Sequence, residues 1–103
     1  MKTDEFLSAC RLFMSDSMSL MEKKNADYSG VDDPFRNFRS CESLGIPTGV
    51  GIAVRMTDKM SRLHSILRRG ECSVEDESAI DTLRDLCNYA AILAVWMGYG
   101  HED

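Results

Sequence analysis

Apolar residues recur with the 3.6-residue period of an α-helix in three stretches of the chain. In the first stretch, Phe6, Cys10 and Phe13 follow one another at helical spacing. Asp4 and Glu5 precede them, where negative charge favours the start of a helix. The pattern predicts a first helix over residues 3–26.

The second stretch predicts a helix over 50–69, with Gly70 as its stop because glycine commonly ends helices. Its predicted buried stripe consists of Ile52, Met56, Met60, Leu63 and Leu67. The third stretch predicts a helix over 74–98 with a broad apolar face, opened by Ser73 as its capping residue.

A long connection separates the first two main helices. Within it, Asp33-Pro34 has the residue types favoured at a helix start and predicts a short helix over 34–42. No segment alternates with a period of two for long enough to be a strand. The expected fold is therefore all-α, with three main helices and a short connecting helix in an antiparallel bundle, and residues 1–103 form one domain.

Composition narrows the function classes. The chain has 103 residues and a net charge of −5. A net negative charge argues against a nucleic acid polymer as the partner, because it repels the phosphate backbone. The N-terminus lacks the apolar segment of a secretory signal. No stretch of the sequence is long and apolar enough to span a membrane, so we expect no membrane partner. We expect a cytoplasmic protein, and a domain this small favours self-association. The four cysteines form no CxxC pair, so no zinc or redox motif is present.

Two rows of polar residues stand out at helical spacing. One lies on the third helix and consists of Glu77, Asp81, Asp85 and Asn88. The other lies on the second helix and consists of Arg55, Asp58, Lys59 and Arg62. If the two helices are antiparallel neighbours, Asp58 joins the carboxylates of the third helix around a divalent cation. The basic side chains then stand at the rim, as a Mg²⁺-bound di- or triphosphate requires.

Other interpretations of these rows stay open. A solvated acidic face, or an interhelical salt-bridge lattice without a ligand, would show the same spacing. The aromatic side chains allow two interpretations as well, since they could stack a nucleobase or anchor loops in the core. These aromatic residues are Tyr28, Phe35, Phe38 and Tyr89.

The segments KNADYSG, DPFRNF, RMTDKMSRL and DESAIDTLRDLCNYA resemble the small phage and prophage proteins of the first nucleotide-modification-associated domain family. That family is itself similar to the all-α NTP pyrophosphatases, the MazG-like and dimeric dUTPase-like enzymes. The resemblance covers about residues 20–95. It implies an all-α fold, a homo-oligomer, Mg²⁺ as cofactor, nucleotides as ligands and, for a phage-encoded protein, the host cytoplasm.

In those enzymes one helix supplies E-x-x-E and the next supplies E-x-x-D, and the four carboxylates hold Mg²⁺. Here Arg55 and Asp58 stand where the first pair is expected, and the acids of the third helix are spaced by four instead of three. The sequence therefore matches the carboxylate motifs of these enzymes only in part. Binding of a nucleotide without turnover is an open alternative to hydrolysis.

The polar rows and the resemblance together predict one site. Its metal-binding and catalytic residues are Asp58, Glu77, Asp81 and Asp85. Its substrate-binding residues are Lys24, Arg55, Lys59 and Arg62 for phosphate, with Tyr28, Asn37, Phe38 and Asn88 for base or sugar. The expected function is Mg²⁺-dependent hydrolysis of a canonical or modified nucleoside triphosphate to monophosphate and pyrophosphate. The alternatives are a binder that sequesters a nucleotide signal of host defence and a plain helical interaction module.

Overall fold

The computed structural model describes residues 1–28, 33–70 and 77–101, without the side chains of residues 27, 28 and 77. Three α-helices dominate it: α1 (Thr3–Tyr28), α2 (Thr48–Arg68) and α3 (Glu77–Trp96). A 3-10 helix, Arg39–Leu44, precedes α2. The described residues contain no strand, so the predicted all-α class is confirmed.

The connection before α2 differs from its prediction. Residues 34–38 form turns instead of a helix, and the 3-10 helix that follows them ends two residues beyond the expected bound of 42. The Asp33 carboxylate accepts a hydrogen bond from the Phe35 backbone N–H at 3.1 Å, which closes a turn locally. Gly45 then ends the 3-10 helix with φ +79°, a conformation that glycine adopts without strain.

The main helices lie close to their predicted bounds. Gly70 follows α2 with φ +73°, as expected of a helix stop. The predicted beginning of the third helix at 74 and its Ser73 cap lie outside the described residues. At the other end α3 finishes at Trp96 and continues as turns to residue 100.

Helices α2 and α3 pack antiparallel and form most of the core. Gly49, near the start of α2, lies against Trp96 at the end of α3. Near the opposite ends, Arg62 Nη2 donates a hydrogen bond to Ser78 Oγ at 3.2 Å. The buried apolar side chains among the described residues are Ile52, Leu63, Ile66 and Ala79.

The packed side of α2 differs from the predicted stripe. Met60 and Leu67 are 54% and 48% exposed, whereas Ile66 is only 2% exposed. The packed side instead includes Ile52, Lys59 and Ile66, which are spaced by seven residues and therefore share one side of the helix. Ile52 and Leu63 of the predicted stripe are buried, so the packed side overlaps the prediction and is displaced around the helix towards Lys59 and Ile66.

Helix α1 packs antiparallel to α3, and Cys10, Phe13 and Leu20 are half-buried on the side of α1 that carries Ser17 and Lys24. Asn88 Nδ2 donates a hydrogen bond to the Ser17 carbonyl at 2.8 Å, and both residues are buried. Lys24, two turns further along α1, pairs with Asp85 of α3. Within the described segments, no helix has the length and apolar character needed to cross a membrane.

Candidate functional site

A carboxylate on α3 joins the three helices. Lys24 Nζ of α1 lies 3.1 Å from Asp85 Oδ1, and Lys59 Nζ of α2 lies 2.9 Å from Asp85 Oδ2. The Asp85 side chain is 16% exposed and that of Lys59 is 27% exposed. Each carboxylate oxygen therefore has its own ammonium partner, and the cluster lies where α1, α2 and α3 meet.

The charge state of Asp85 follows from these contacts. Burial raises its pKa, because a carboxylate is better solvated in water than inside the protein. The hydrogen bonds and charges of Lys59 and Lys24 lower the pKa by more. The net pKa lies below the ordinary value, so Asp85 is ionised and holds both lysines in place.

An open pocket of about 520 Å³ surrounds this cluster. It is lined by Leu20, Lys24, Lys59, Arg62, Ser78, Asp81, Thr82 and Asp85. The structure thus brings together three of the four predicted phosphate-binding residues and two of the predicted carboxylates. Three cationic side chains and two carboxylates therefore line one continuous pocket between the helices.

Sequence reasoning missed three residues that line the pocket. Ser78 accepts the hydrogen bond from Arg62 and so helps to orient the guanidinium. Thr82 is buried, and its hydroxyl donates to the Ser78 carbonyl at 2.7 Å. Leu20 is a half-buried apolar residue of α1. Their spacing on the chain carries no signal, because serine, threonine and leucine are common on any helix.

The predicted carboxylate set is not assembled by the described residues. Asp58 is exposed and does not line the pocket. The Asp81 side chain is 65% exposed, and its carboxylate pairs with Arg84 at 3.2 Å. Among described side chains, which exclude Glu77, no group of three or more His, Cys, Asp or Glu is placed to hold a metal ion. The pocket thus contains two of the four predicted carboxylates, Asp81 and Asp85, and the Glu77 side chain lies outside the described part of the chain.

A second, smaller pocket of about 190 Å³ lies beside the 3-10 helix. Predicted residues Phe38 and Arg55 line it. The Arg55 guanidinium carbon lies 4.7 Å from the centre of the Phe38 ring, a cation–π contact, and its Nη2 donates to the Asn37 carbonyl at 3.3 Å. Tyr89 of α3 meets Phe38 edge to face, with ring centres 6.3 Å apart. Arg55 thus belongs to this aromatic cluster instead of the larger pocket.

The remaining predicted residues are placed outside both pockets or are not described. Asn88 is 8% exposed and is engaged with the Ser17 carbonyl, so it holds α1 on α3. The Asn37 side chain is exposed. Tyr28 ends α1 and Glu77 begins α3, but the side chains of both lie outside the described part of the chain.

Comparisons of the chain with protein-family models, curated proteins and solved structures found no match.

Proposed function

We propose that this protein binds a nucleotide, with the phosphate groups held in the pocket between α1, α2 and α3. The observation that carries the proposal is the convergence of Lys24, Lys59 and Arg62 on one open volume of about 520 Å³. Each cation comes with a fixed partner on α3, so the site is ordered before a ligand arrives. Lysine and arginine donors are the usual partners of phosphate oxygens.

The position of Lys59 supports a binding role. This residue lies on the packed side of α2 between Ile52 and Ile66, where an apolar side chain would contribute more to folding. Burying a lysine is costly unless a partner compensates its charge, and Asp85 supplies that partner. A lysine at this position is explained if its ammonium group binds a ligand.

The volume and surroundings of the pocket are compatible with a nucleotide. Small-molecule pockets typically measure about 300 to 1,000 Å³. Arg55 lies four residues before Lys59 on α2, and Tyr89 lies four residues after Asp85 on α3. The aromatic cluster of Phe38 and Tyr89 is therefore one helical turn from the cationic pocket, and it offers a surface for a base. The nucleotide class itself comes from the motif resemblance.

Binding without hydrolysis is the version that the described residues favour. Both Asp85 oxygens are paired with lysines, and Asp81 is paired with Arg84. A sequestering protein needs complementary charge and shape but no activated water. Homo-oligomerisation, which the resemblance implies, is compatible with this role.

Hydrolysis to monophosphate and pyrophosphate is the second candidate, and one observation favours it. Asp81 and Asp85 are one turn apart and line the same pocket as the three cations. Incubation with canonical and modified deoxynucleoside triphosphates and Mg²⁺, followed by chromatography of the nucleotides, separates the two versions. Intact nucleotide supports the binder, whereas turnover that is lost in Asp81→Asn supports the hydrolase.

A thermal-shift screen tests the proposal as a whole. A ligand that binds only the native state adds about 2.7 kcal/mol to the free energy of unfolding at a concentration of a hundred times Kd. The melting temperature rises as a result. We expect at least one nucleotide to raise it, with or without Mg²⁺. If none does, the pocket is a salt-bridge lattice and the protein is better explained as a helical interaction module.

A further inference from the structure

The Asp85 carboxylate occupies hydrogen-bond donors that a phosphate group needs. Its two oxygens lie 3.1 Å from Lys24 Nζ and 2.9 Å from Lys59 Nζ, so one carboxylate faces two of the three cations in the pocket. Carboxylate and phosphate oxygens accept hydrogen bonds from the same charged donors at similar distances. The protein therefore already holds an anion at the place where the proposed ligand binds.

A phosphate on either lysine lies close to Asp85. A lysine ammonium has three donor hydrogens, so each lysine can donate to a second anion without releasing the first. Two oxygens that accept from one ammonium, however, lie only about 5 Å apart, because each is at hydrogen-bond distance from the nitrogen. The ligand must approach this carboxylate or displace it, and in both cases it loses part of its binding energy.

Burial makes Asp85 the more effective of the two carboxylates that line the pocket. Its side chain is 16% exposed, whereas that of Asp81 is 65% exposed and pairs with Arg84. Solvent and salt screen an exposed charge more strongly than a partly buried one. The lining side chains carry three positive and two negative charges, so removal of the Asp85 charge raises their net charge from +1 to +2.

Taking the phosphate site proposed above as given, we propose that Asp85 competes with the ligand for Lys24 and Lys59 and so lowers the affinity of the pocket for phosphate. In the free protein the carboxylate holds the two lysines between the helices. When a ligand binds, the same lysines exchange one anionic partner for another. Stability and affinity are thus set against each other at this residue.

Calorimetric titration in metal-free buffer at fixed ionic strength tests the proposal, with inorganic pyrophosphate and the four deoxynucleoside triphosphates as probes. Asp85→Asn keeps the size of the side chain and removes its charge. Glu22→Gln is the matched control, because Glu22 is exposed, lies outside the pocket lining and is two residues from Lys24 on α1. We expect Asp85→Asn to bind the probes at least about tenfold more tightly than the wild type, and Glu22→Gln to stay within about twofold of it.

Thermal unfolding without ligand separates competition from a purely structural role. Asp85→Asn should melt below the wild type and yet bind more tightly, because the contact that stabilises the fold is the one that opposes the ligand. If Asp85 serves only to position the lysines, stability and affinity fall together. Equal or weaker binding by a folded Asp85→Asn, as judged by circular dichroism, would overturn the proposal.

A double variant keeps the test decisive if Asp85→Asn fails to fold, since that variant leaves two ammonium groups side by side. Lys24→Met/Asp85→Asn removes one of them and restores the net charge of the wild-type lining. We expect it to bind pyrophosphate at least about tenfold more tightly than Lys24→Met alone. Equal binding by these two variants contradicts the competition.

The two kinds of probe distinguish failure of this proposal from failure of the nucleotide function. Pyrophosphate requires only cations, so its tighter binding to Asp85→Asn supports the competition even if no nucleotide binds the wild type, and the nucleotide function then fails alone. Nucleotide binding that is equal in the wild type and Asp85→Asn overturns the competition and leaves the function in place. If neither protein binds any probe, both proposals are wrong.

Discussion

The α2–α3 pair and helix α1 differ in the side chains that they bury most completely. Between α2 and α3 lie the buried apolar side chains Ile52, Leu63, Ile66 and Ala79. Helix α1 meets α3 through a buried hydrogen bond and an ion pair, at Ser17 and Lys24. Its large apolar side chains, from Phe6 to Met18, are mostly exposed.

The difference shows which surface builds the fold and which remains available for other contacts. Apolar burial contributes about 25 cal/mol per Å², and the four buried apolar side chains among the described residues all lie on α2 and α3. The polar contacts of α1 fix its register on α3 and contribute less. The pocket lies where the two kinds of packing meet, which explains why it is lined by charged side chains on three helices.

The largest expected effect is in the α2–α3 core. Ile52→Ala removes a side chain that is 0% exposed and should lower the free energy of unfolding by about 2 to 5 kcal/mol. Val54→Ala is the control, since Val54 is 53% exposed on the same helix. Denaturant titration measures both. Similar losses in the two variants would mean that α2 is packed differently from the structure.

The next effect is at the contact between α1 and α3. Asn88→Ala removes the buried hydrogen bond that joins α3 to the Ser17 carbonyl and should cost about 1 to 3 kcal/mol. In this variant the backbone amides of α1 should exchange hydrogen faster than those of α2, because the lost bond joins α3 to α1 and not to α2. If α2 loses protection to the same extent as α1, the two regions do not differ in the way described.

A smaller, pH-dependent effect is expected at Asp85. Asp85→Asn should cost about 1 to 2 kcal/mol at neutral pH, because charged hydrogen bonds to two lysines are lost. The folded pKa of Asp85 is lowered, so this stability is present above about pH 4, the unfolded pKa of Asp. It is lost as the pH falls through the folded value. Melting temperatures of the two proteins should converge in acid, and a constant gap would contradict the assignment.

The smallest effect is expected at Lys24. The Lys24 side chain is 49% exposed, and Asp85 keeps Lys59 as a partner when the Lys24 ammonium group is removed. Lys24→Met should therefore change the free energy of unfolding by no more than about 0.5 kcal/mol. A loss as large as that of Asn88→Ala would show that α1 is held mainly by its ion pair.

The helices were predictable from the sequence because their apolar period is strong. The displacement of the packed side of α2 was not, since Lys59 lies on that side and hides the spacing of Ile52 and Ile66. This displacement also decides the site. It brings Lys59 to Asp85, whereas Asp58, the neighbouring residue about 100° around the helix, is exposed. No rule about residues on one helix fixes how two helices face each other. Ser78 and Thr82 depend on the same packing.

Calorimetric titration with the four deoxynucleoside triphosphates tests the central claim most directly. Lys24→Met removes a cation from the pocket, and Lys23→Met removes an exposed cation that lies outside the pocket lining on the same helix. We expect a nucleotide to bind the wild type and Lys23→Met equally, and to bind Lys24→Met at least about tenfold more weakly, the loss of one charged hydrogen bond. Absence of binding to the wild type, or equal weakening in both variants, would contradict the proposed function.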